Sequence, residues 1–260
     1  MERKQETEHI IASIELEGCP EGEVLHPFKP KDEITQKYFS GWAMPLSPWG
    51  GWQNRLSELE VVKEDGRTVL SFRSQATERA LVYDSSMFRD GHIVAQVKPL
   101  DADAKPHMDR DDCHEALVGI VFRAQTSRTY YQFGIEGKRR VVLYRRIDDE
   151  WFVLAEQKVE LTDDYLTLEV ALDGDGIRCC CAELGVDFFC TDTTIKYGKT
   201  GIRSLGRAKL LSFKISQTSS QATRDEHRRK RLRAREQALG ESIVPKSMDK
   251  CSMDMELTVG

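Results

Sequence analysis

The stretch from Ala116 to Glu156, ALVGIVFRAQTSRTYYQFGIEGKRRVVLYRRIDDEWFVLAE, constrains the fold of this chain more than any other. It divides into four short runs: Leu117 to Arg123, Tyr130 to Ile135, Val141 to Arg146 and Trp151 to Ala155. In the first, Val118, Ile120 and Phe122 alternate with Gly119, Val121 and Arg123; in the second, Tyr131, Phe133 and Ile135 alternate with Tyr130, Gln132 and Gly134. A period of two in β-branched and aromatic residues marks strands. The breaks at Ser127-Arg128, Glu136-Gly137 and Asp148-Asp149 carry turn chemistry. Four such strands form an antiparallel meander, whose apolar face requires a second sheet to cover it.

The rest of the chain repeats this pattern. Strands are predicted at Ile10 to Glu17, Leu59 to Val62, Thr68 to Arg73, Ala80 to Tyr83, His92 to Lys98, Tyr165 to Asp173, Ile177 to Glu183, Asp187 to Cys190, Gly198 to Arg203 and Lys209 to Ile215. Glu64-Asp65-Gly66 reads as a hairpin, and Asp173-Gly174-Asp175-Gly176 as a type I′ turn. About a dozen short strands, with no helical period before residue 220, predict an all-β, two-sheet antiparallel jelly-roll sandwich over residues 10–216. Residues 1–9 read as a flexible N-terminus. From Thr218 the chain becomes charged and rich in helix formers, with too few apolar residues for a buried stripe. This predicts an exposed, dispensable C-terminal helix or linker over 217–240, followed by a disordered tail over 241–260.

With 260 residues and a net charge of −5, the chain has no overall attraction to nucleic acid or anionic membrane. No apolar run is long enough to span a bilayer. The charged start, MERKQETEHI, has no apolar segment behind it, which argues for a cytoplasmic location unless a leader is missing. The seven cysteines are odd in number and none has CxxC spacing. Cys179, Cys180 and Cys181 are consecutive on a strand and point to alternate faces, so reduced, metal-free thiols are expected.

The segments VGIVFRAQTSRTYYQFGI, VVLYRRIDDEWFVLAE, LTLEVALDGDGIRC and YGKTGIRSLGRAKLLSFKI together resemble the concanavalin A-like lectin/glucanase superfamily. The likeness is closest to its laminin G-like, sugar-associated branch in bacterial carbohydrate-active proteins. It covers roughly residues 80 to 216, with Gly119, Phe122, Arg123, Tyr131, Trp151, Gly174, Gly201, Ile202, Phe213 and Ile215 at the matching places. The charged helix after the sandwich resembles a linker in some rhamnogalacturonan lyase-like proteins. That likeness implies a sugar-binding module whose catalytic domain or partner protein lies outside this chain.

The resemblance implies a non-catalytic carbohydrate-binding module for a polysaccharide or oligosaccharide. The alternatives are a glycoside hydrolase or polysaccharide lyase fragment, and a protein-interaction sandwich without a sugar ligand. Glycosidases of the superfamily carry E-x-D-x-x-E on one strand, and no such triplet occurs, so no catalytic residues are assigned. The candidate ligand-binding residues are Arg123, Tyr130, Gln132 and Arg145, expected on the open sheet face, and Trp42, Trp49 and Trp52 in a Pro/Gly-rich loop. The aromatic rings would stack on sugar, and the arginine forks would bind hydroxyls or a carboxylate. The tryptophans serve equally well as a plug at one end of the sandwich. The acidic loop from His107 to Glu115 could hold a structural calcium, although a solvated loop explains it more simply, so no cofactor or metal is assigned. The run His227 to Arg235 is interrupted by nearby acids and reads as a solvated helix face, with no nucleic-acid partner expected.

Overall fold

A computed structural model describes residues 7–22, 37–43, 59–73, 78–103, 115–148 and 150–239. The strands are Glu8–Glu15 (β1), Trp42–Ala43 (β2), Leu59–Glu64 (β3), Arg67–Phe72 (β4), Glu78–Phe88 (β5), Gly91–Pro99 (β6), Leu117–Thr126 (β7), Thr129–Glu136 (β8), Arg140–Ile147 (β9), Glu150–Lys158 (β10), Leu166–Asp173 (β11), Gly176–Cys181 (β12), Val186–Thr191 (β13), Gly198–Leu205 (β14) and Ala208–Thr218 (β15). A 3-10 turn at Ala182–Leu184 links β12 to β13, and one long helix, Ser219–Leu239 (α1), ends the described chain. All pairings are antiparallel. One sheet has the order β13-β12-β11-β6-β15-β4-β3, with β1 also on β15; the other has the order β10-β9-β8-β7-β14-β5-β2. The meander β7–β10 supplies four of the seven strands of the second sheet, and the molecule is the predicted two-sheet jelly-roll sandwich.

Alternation fills the space between the sheets. Ile93, Ala95 and Val97 on β6, Leu166, Leu168, Val170 and Leu172 on β11, and Phe213 and Ile215 on β15 supply one wall. Val118, Ile120 and Phe122 on β7, Tyr131, Phe133 and Ile135 on β8, and Val141 and Leu143 on β9 supply the other. Phe122 and Tyr131 stack with centroids 5.3 Å apart. Each fully buried side chain of this size contributes about 1.5–3 kcal/mol.

Several boundaries differ from those expected. β1 starts at Glu8 and ends at Glu15, because the chain turns at 17–18 with Gly18 in the left-handed region. The short run at Ala80 to Tyr83 is the middle of the eleven-residue β5. Asp65 and Gly66 both have positive φ, as a type I′ hairpin requires. Gly174 has a positive φ but Asp175 does not, so the β11–β12 turn is not of that type. Its backbone is held from outside: Gly174 N donates to Asp90 Oδ1 at 2.8 Å, and its carbonyl accepts from Arg123.

β15 passes into α1 without an intervening residue. The helix is largely exposed, as expected, but its first turns are bound to the sandwich. Asp225, 3% exposed, accepts hydrogen bonds from the Arg89 backbone N–H and from the Gln217 amide, and pairs with Arg228 at 2.6 Å. Arg229 Nη1 reaches Ser86 Oγ at 2.8 Å. Sequence patterning treats the helix as dispensable because an apolar stripe is missing; the attachment is polar instead. No helix among the described residues is long and apolar enough to cross a membrane.

Candidate functional site

The two arginines expected on the open face sit elsewhere. A register shift between Phe122 and Thr126 interrupts β7, and Arg123 adopts φ +50° there. A bulge of this kind redirects the side chain. The Arg123 side chain is wholly buried, with Nη2 donating to the Gly174 carbonyl at 2.6 Å and the Arg89 carbonyl at 3.0 Å, and Nη1 to the Ile195 carbonyl at 3.3 Å. Burial lowers its pKa, with Tyr131 and Asp90 opposing. Arg123 therefore ties three loops together at one end of the sandwich. Arg145 pairs in register with Tyr131, on the core side. Its Nη1 donates to Asp192 Oδ2 at 2.6 Å and Thr194 Oγ1 at 2.9 Å, and its guanidinium lies 4.6 Å from the Phe152 ring centre. Burial raises the Asp192 carboxyl, but bonds from Thr194 and Tyr131 and the Arg145 charge outweigh it, and the net pKa is lowered.

Tyr130 and Gln132 do lie on the outer face of the seven-stranded sheet, as alternation requires, but both are buried. The register sets their neighbours. Trp151, Arg146 and Tyr130 form one row across β10, β9 and β8; Tyr144, Gln132, Val121 and Gly201 form the next, across β9, β8, β7 and β14; Val142, Gly134, Gly119 and Arg203 form the third. Gly119, Gly134 and Gly201 keep the floor of this face free of side chains. A Cβ on any of them would overlap a carbonyl oxygen of the adjacent strand, so closeness of the strands demands glycine there.

Over that floor lies a compact aromatic and cationic cluster. Arg146 Nη1 donates to the Tyr130 hydroxyl at 3.0 Å, and Arg203 Nη1 to Gln132 Oε1 at 2.5 Å. The guanidinium carbons of Arg146 and Arg203 lie 4.9 and 5.3 Å from the centre of the Trp151 ring. Trp151 also meets Tyr144 and Tyr130 edge-on, at 5.2 and 6.0 Å. Trp151 is 37% exposed, while Tyr130, Gln132, Arg146 and Arg203 are each at most 3% exposed, so the indole is the solvent-facing part of the cluster. Gln132 Nε2 is buried and has no hydrogen-bond partner among the described residues.

Further along the same face, Arg140 lies between two carboxylates. Its Nε donates to Glu136 Oε2 at 2.6 Å and its Nη1 to Glu156 Oε2 at 2.7 Å, and the Tyr144 hydroxyl donates to Glu136 at 2.9 Å. Burial, reinforced by Glu136, raises the Tyr144 pKa above its ordinary value.

Of the three tryptophans in the Pro/Gly-rich segment, only Trp42 falls among the described residues. It packs edge-on against Tyr83 at 5.6 Å and Phe213 at 5.3 Å, partly buried against the core, so its placement is that of a plug. Trp49, Trp52 and the part of the acidic loop from His107 to His114 lie outside the described residues. Glu115, at the end of that loop, pairs with Arg139. Among the described residues no group of three or more His, Cys, Asp or Glu is placed to hold a metal ion. Trp151, Arg146, Arg203 and Tyr144 were not among the residues expected at the site. Pairing Arg146, rather than Arg145, with Tyr130 depends on the turn at Gly137 to Arg139, whose geometry composition does not reveal.

No protein-family model and no curated protein matches this chain. Similar solved structures exist. The catalytic domain of an endo-1,3-beta-glucanase (laminarinase) from Thermotoga petrophila RKU-1 superposes with a TM-score of 0.52 at 9% identity, over 83% of this chain and 100% of that one. The carbohydrate-binding module CBM66 from Bacillus subtilis gives 0.48 at 14% identity, over 65% and 91%. A beta-1,3-glucanase from Mycobacterium marinum gives 0.48 at 11% identity, over 80% and 98%. What the chain shares with the laminarinase domain is the β-sandwich fold.

Proposed function

We propose that the protein is a non-catalytic carbohydrate-binding module, with its ligand on the outer face of the seven-stranded sheet around Trp151. The observation that carries this is the exposed Trp151 ring, held on the outer face by Arg146, Arg203, Tyr130 and Tyr144. A pyranose ring offers a flat C–H face on which an exposed indole can stack. Tyr130 and Gln132 stand on the expected face but are buried, and in this reading they and the buried Arg146 and Arg203 support Trp151 from beneath. The ligand is a polysaccharide of plant or algal type, and a catalytic partner outside this chain would act on it. The carbohydrate-binding module and glucanases of similar fold support a sugar ligand as an analogy.

A glycosidase on this face would need one carboxyl free to donate a proton and a second to assist. Glu136 and Glu156 are both bonded to Arg140, an arrangement better suited to holding strands in place than to acid–base work. Titration calorimetry against a polysaccharide panel is expected to find a dissociation constant of about micromolar to millimolar. Trp151→Ala is expected to weaken binding by about tenfold or more, ~1.4 kcal/mol, without unfolding the protein. Absence of heat across the panel with folded protein would favour a protein-interaction sandwich. Cleavage of any glycan by the pure protein would make it an enzyme.

A further inference from the structure

The charge of this chain is segregated. Between Arg224 and Arg235 lie seven arginines or lysines and two acids, a balance of +5 inside a chain whose total is −5, so the remainder carries −10. In the sequence Asp225 and Glu226 interrupt the basic run, but on the helix they leave its outer side clear. Asp225 is buried against the sandwich, and Glu226 is paired with Lys230 at 2.7 Å. The arginines of the first turns are engaged in attaching the helix: Arg224 reaches Asp90 and Asp173, Arg228 pairs with Asp225, and Arg229 bonds Ser86. Arg231, Arg233 and Arg235 come after this attachment. All three are exposed, and none has an ion-pair partner among the described residues.

At 3.6 residues per turn, each residue advances about 100° around α1. Ala234 therefore stands on the side opposite the buried Asp225, and it is exposed. Lys230 and Arg233, three apart, flank Ala234 on one side; Arg231 and Arg235, four apart, flank it on the other. A small residue between two rows of cations fits a groove whose two walls are negatively charged. The major groove of B-form DNA has this form: it is about 12 Å wide, admits one α-helix and runs between two phosphate backbones. Guanidinium forks match phosphate oxygens bidentately, and three of the four flanking cations are arginine. An anionic membrane would instead call for large apolar residues beside the cations, and the outer line of His227, Ala234 and Ala238 offers none. An acidic polysaccharide is a single chain, which would engage one row and leave the other without a counter-charge. We propose that the segment of α1 from Lys230 to Ala238 docks in the major groove of duplex DNA, held by the phosphates without base specificity. The negative charge of the remainder keeps the sandwich off the phosphates and confines contact to the helix. This surface uses no residue of the Trp151 cluster, and the proposal does not depend on sugar binding.

Fluorescence anisotropy of the full chain with labelled DNA duplexes tests this. The wild-type protein is expected to bind two duplexes of unrelated sequence alike. Its affinity should fall about 40-fold between about 50 and 200 mM salt, the dependence that three phosphate contacts give. Arg231→Gln, Arg233→Gln and Arg235→Gln together should weaken binding by at least about tenfold and flatten the salt dependence, with the melting temperature unchanged. Lysine at the same three positions should preserve both. Ala234→Glu leaves every cation in place but sets a carboxylate between the two rows, so it should weaken binding independently of the arginines. A folded wild type that shows no binding at about 50 mM salt overturns the proposal. An unchanged affinity in the triple glutamine variant or in Ala234→Glu overturns it too. So does binding to anionic lipid vesicles or to polygalacturonate without any binding to the duplexes.

Discussion

The side-chain amide of Gln217 donates to Asp225 Oδ2 at 2.7 Å, joining the end of the last strand to the second turn of the helix that follows it. The same carboxylate oxygen accepts the Arg89 backbone N–H from the β5–β6 loop, and the other oxygen pairs with Arg228. Removing one partner from a buried charged network leaves the rest desolvated and unmatched. Asp225→Ala is expected to destabilise the protein by about 2–4 kcal/mol, read as a lowered midpoint in chemical denaturation. Ending the chain at Thr218 should lower the midpoint comparably, whereas ending it after Arg229 should not.

Arg123 provides a second test of buried polar architecture. Its guanidinium satisfies carbonyls at Arg89, Gly174 and Ile195, which an ammonium cannot reach simultaneously. Arg123→Ala is expected to cost about 3–5 kcal/mol and Arg123→Lys to recover only part of it, measured by urea unfolding. Binding by whatever fraction remains folded should be unaffected, because Arg123 lies away from the Trp151 cluster.

Acid should weaken the junction of β3, β11 and β15. The hydrogen bond from Lys209 holds Glu64 below the usual carboxylate range; burial opposes this, while the Tyr165 hydroxyl and the Lys98 charge assist it. A carboxyl depressed in the folded state contributes stability above its unfolded pKa and loses it as pH falls through the folded value. Glu64→Gln should therefore be less stable than wild type at neutral pH, by no more than about 1 kcal/mol after solvent screening. The gap should close below pH about 4. Thermal melts of both proteins across that range check the sign.

The cysteines differ in reach. Cys19, Cys179 and Cys181 are buried, and Cys180 and Cys190 are partly exposed. Burial raises the Cys179 thiol well above its ordinary value and pushes Cys181 up to about 12. A thiol-reactive reagent at pH 8 should leave Cys19, Cys179 and Cys181 unmodified in the folded protein, and should count all seven thiols in guanidinium without reductant. A lower count in denaturant would reveal a disulfide.

Period-two patterning located the strands because burial enforces it: Leu166, Leu168, Val170 and Leu172 alternate as they do because every second residue of β11 meets the opposite sheet. The same rule placed Tyr130 and Gln132 on the outer face. It failed at Arg123, where one irregularity in β7 reverses the side chain, and at Arg145, where a one-residue difference in pairing separates core from outer face. Burial on the outer face was also unreadable, since alternation distinguishes two faces but not what is accessible on each. Asp225 went unnoticed because one carboxylate in a run of charges looks like any other until the junction beneath it is known.

The first strand and the last strand are neighbours. Glu8 and Ser216, 208 positions apart, share a hydrogen bond, and β15 lies between β6 on one side and β1 and β4 on the other. During synthesis the eight-stranded sheet therefore lacks its central member until nearly all of the described chain has left the ribosome. β1, β4 and β6 emerge early and wait with open edges for a strand made much later. Pairings this distant slow folding, because chain closure must be achieved before the contacts that reward it can form. The meander β7–β10, whose strands pair with their immediate successors, can form well before the sheet that will cover it.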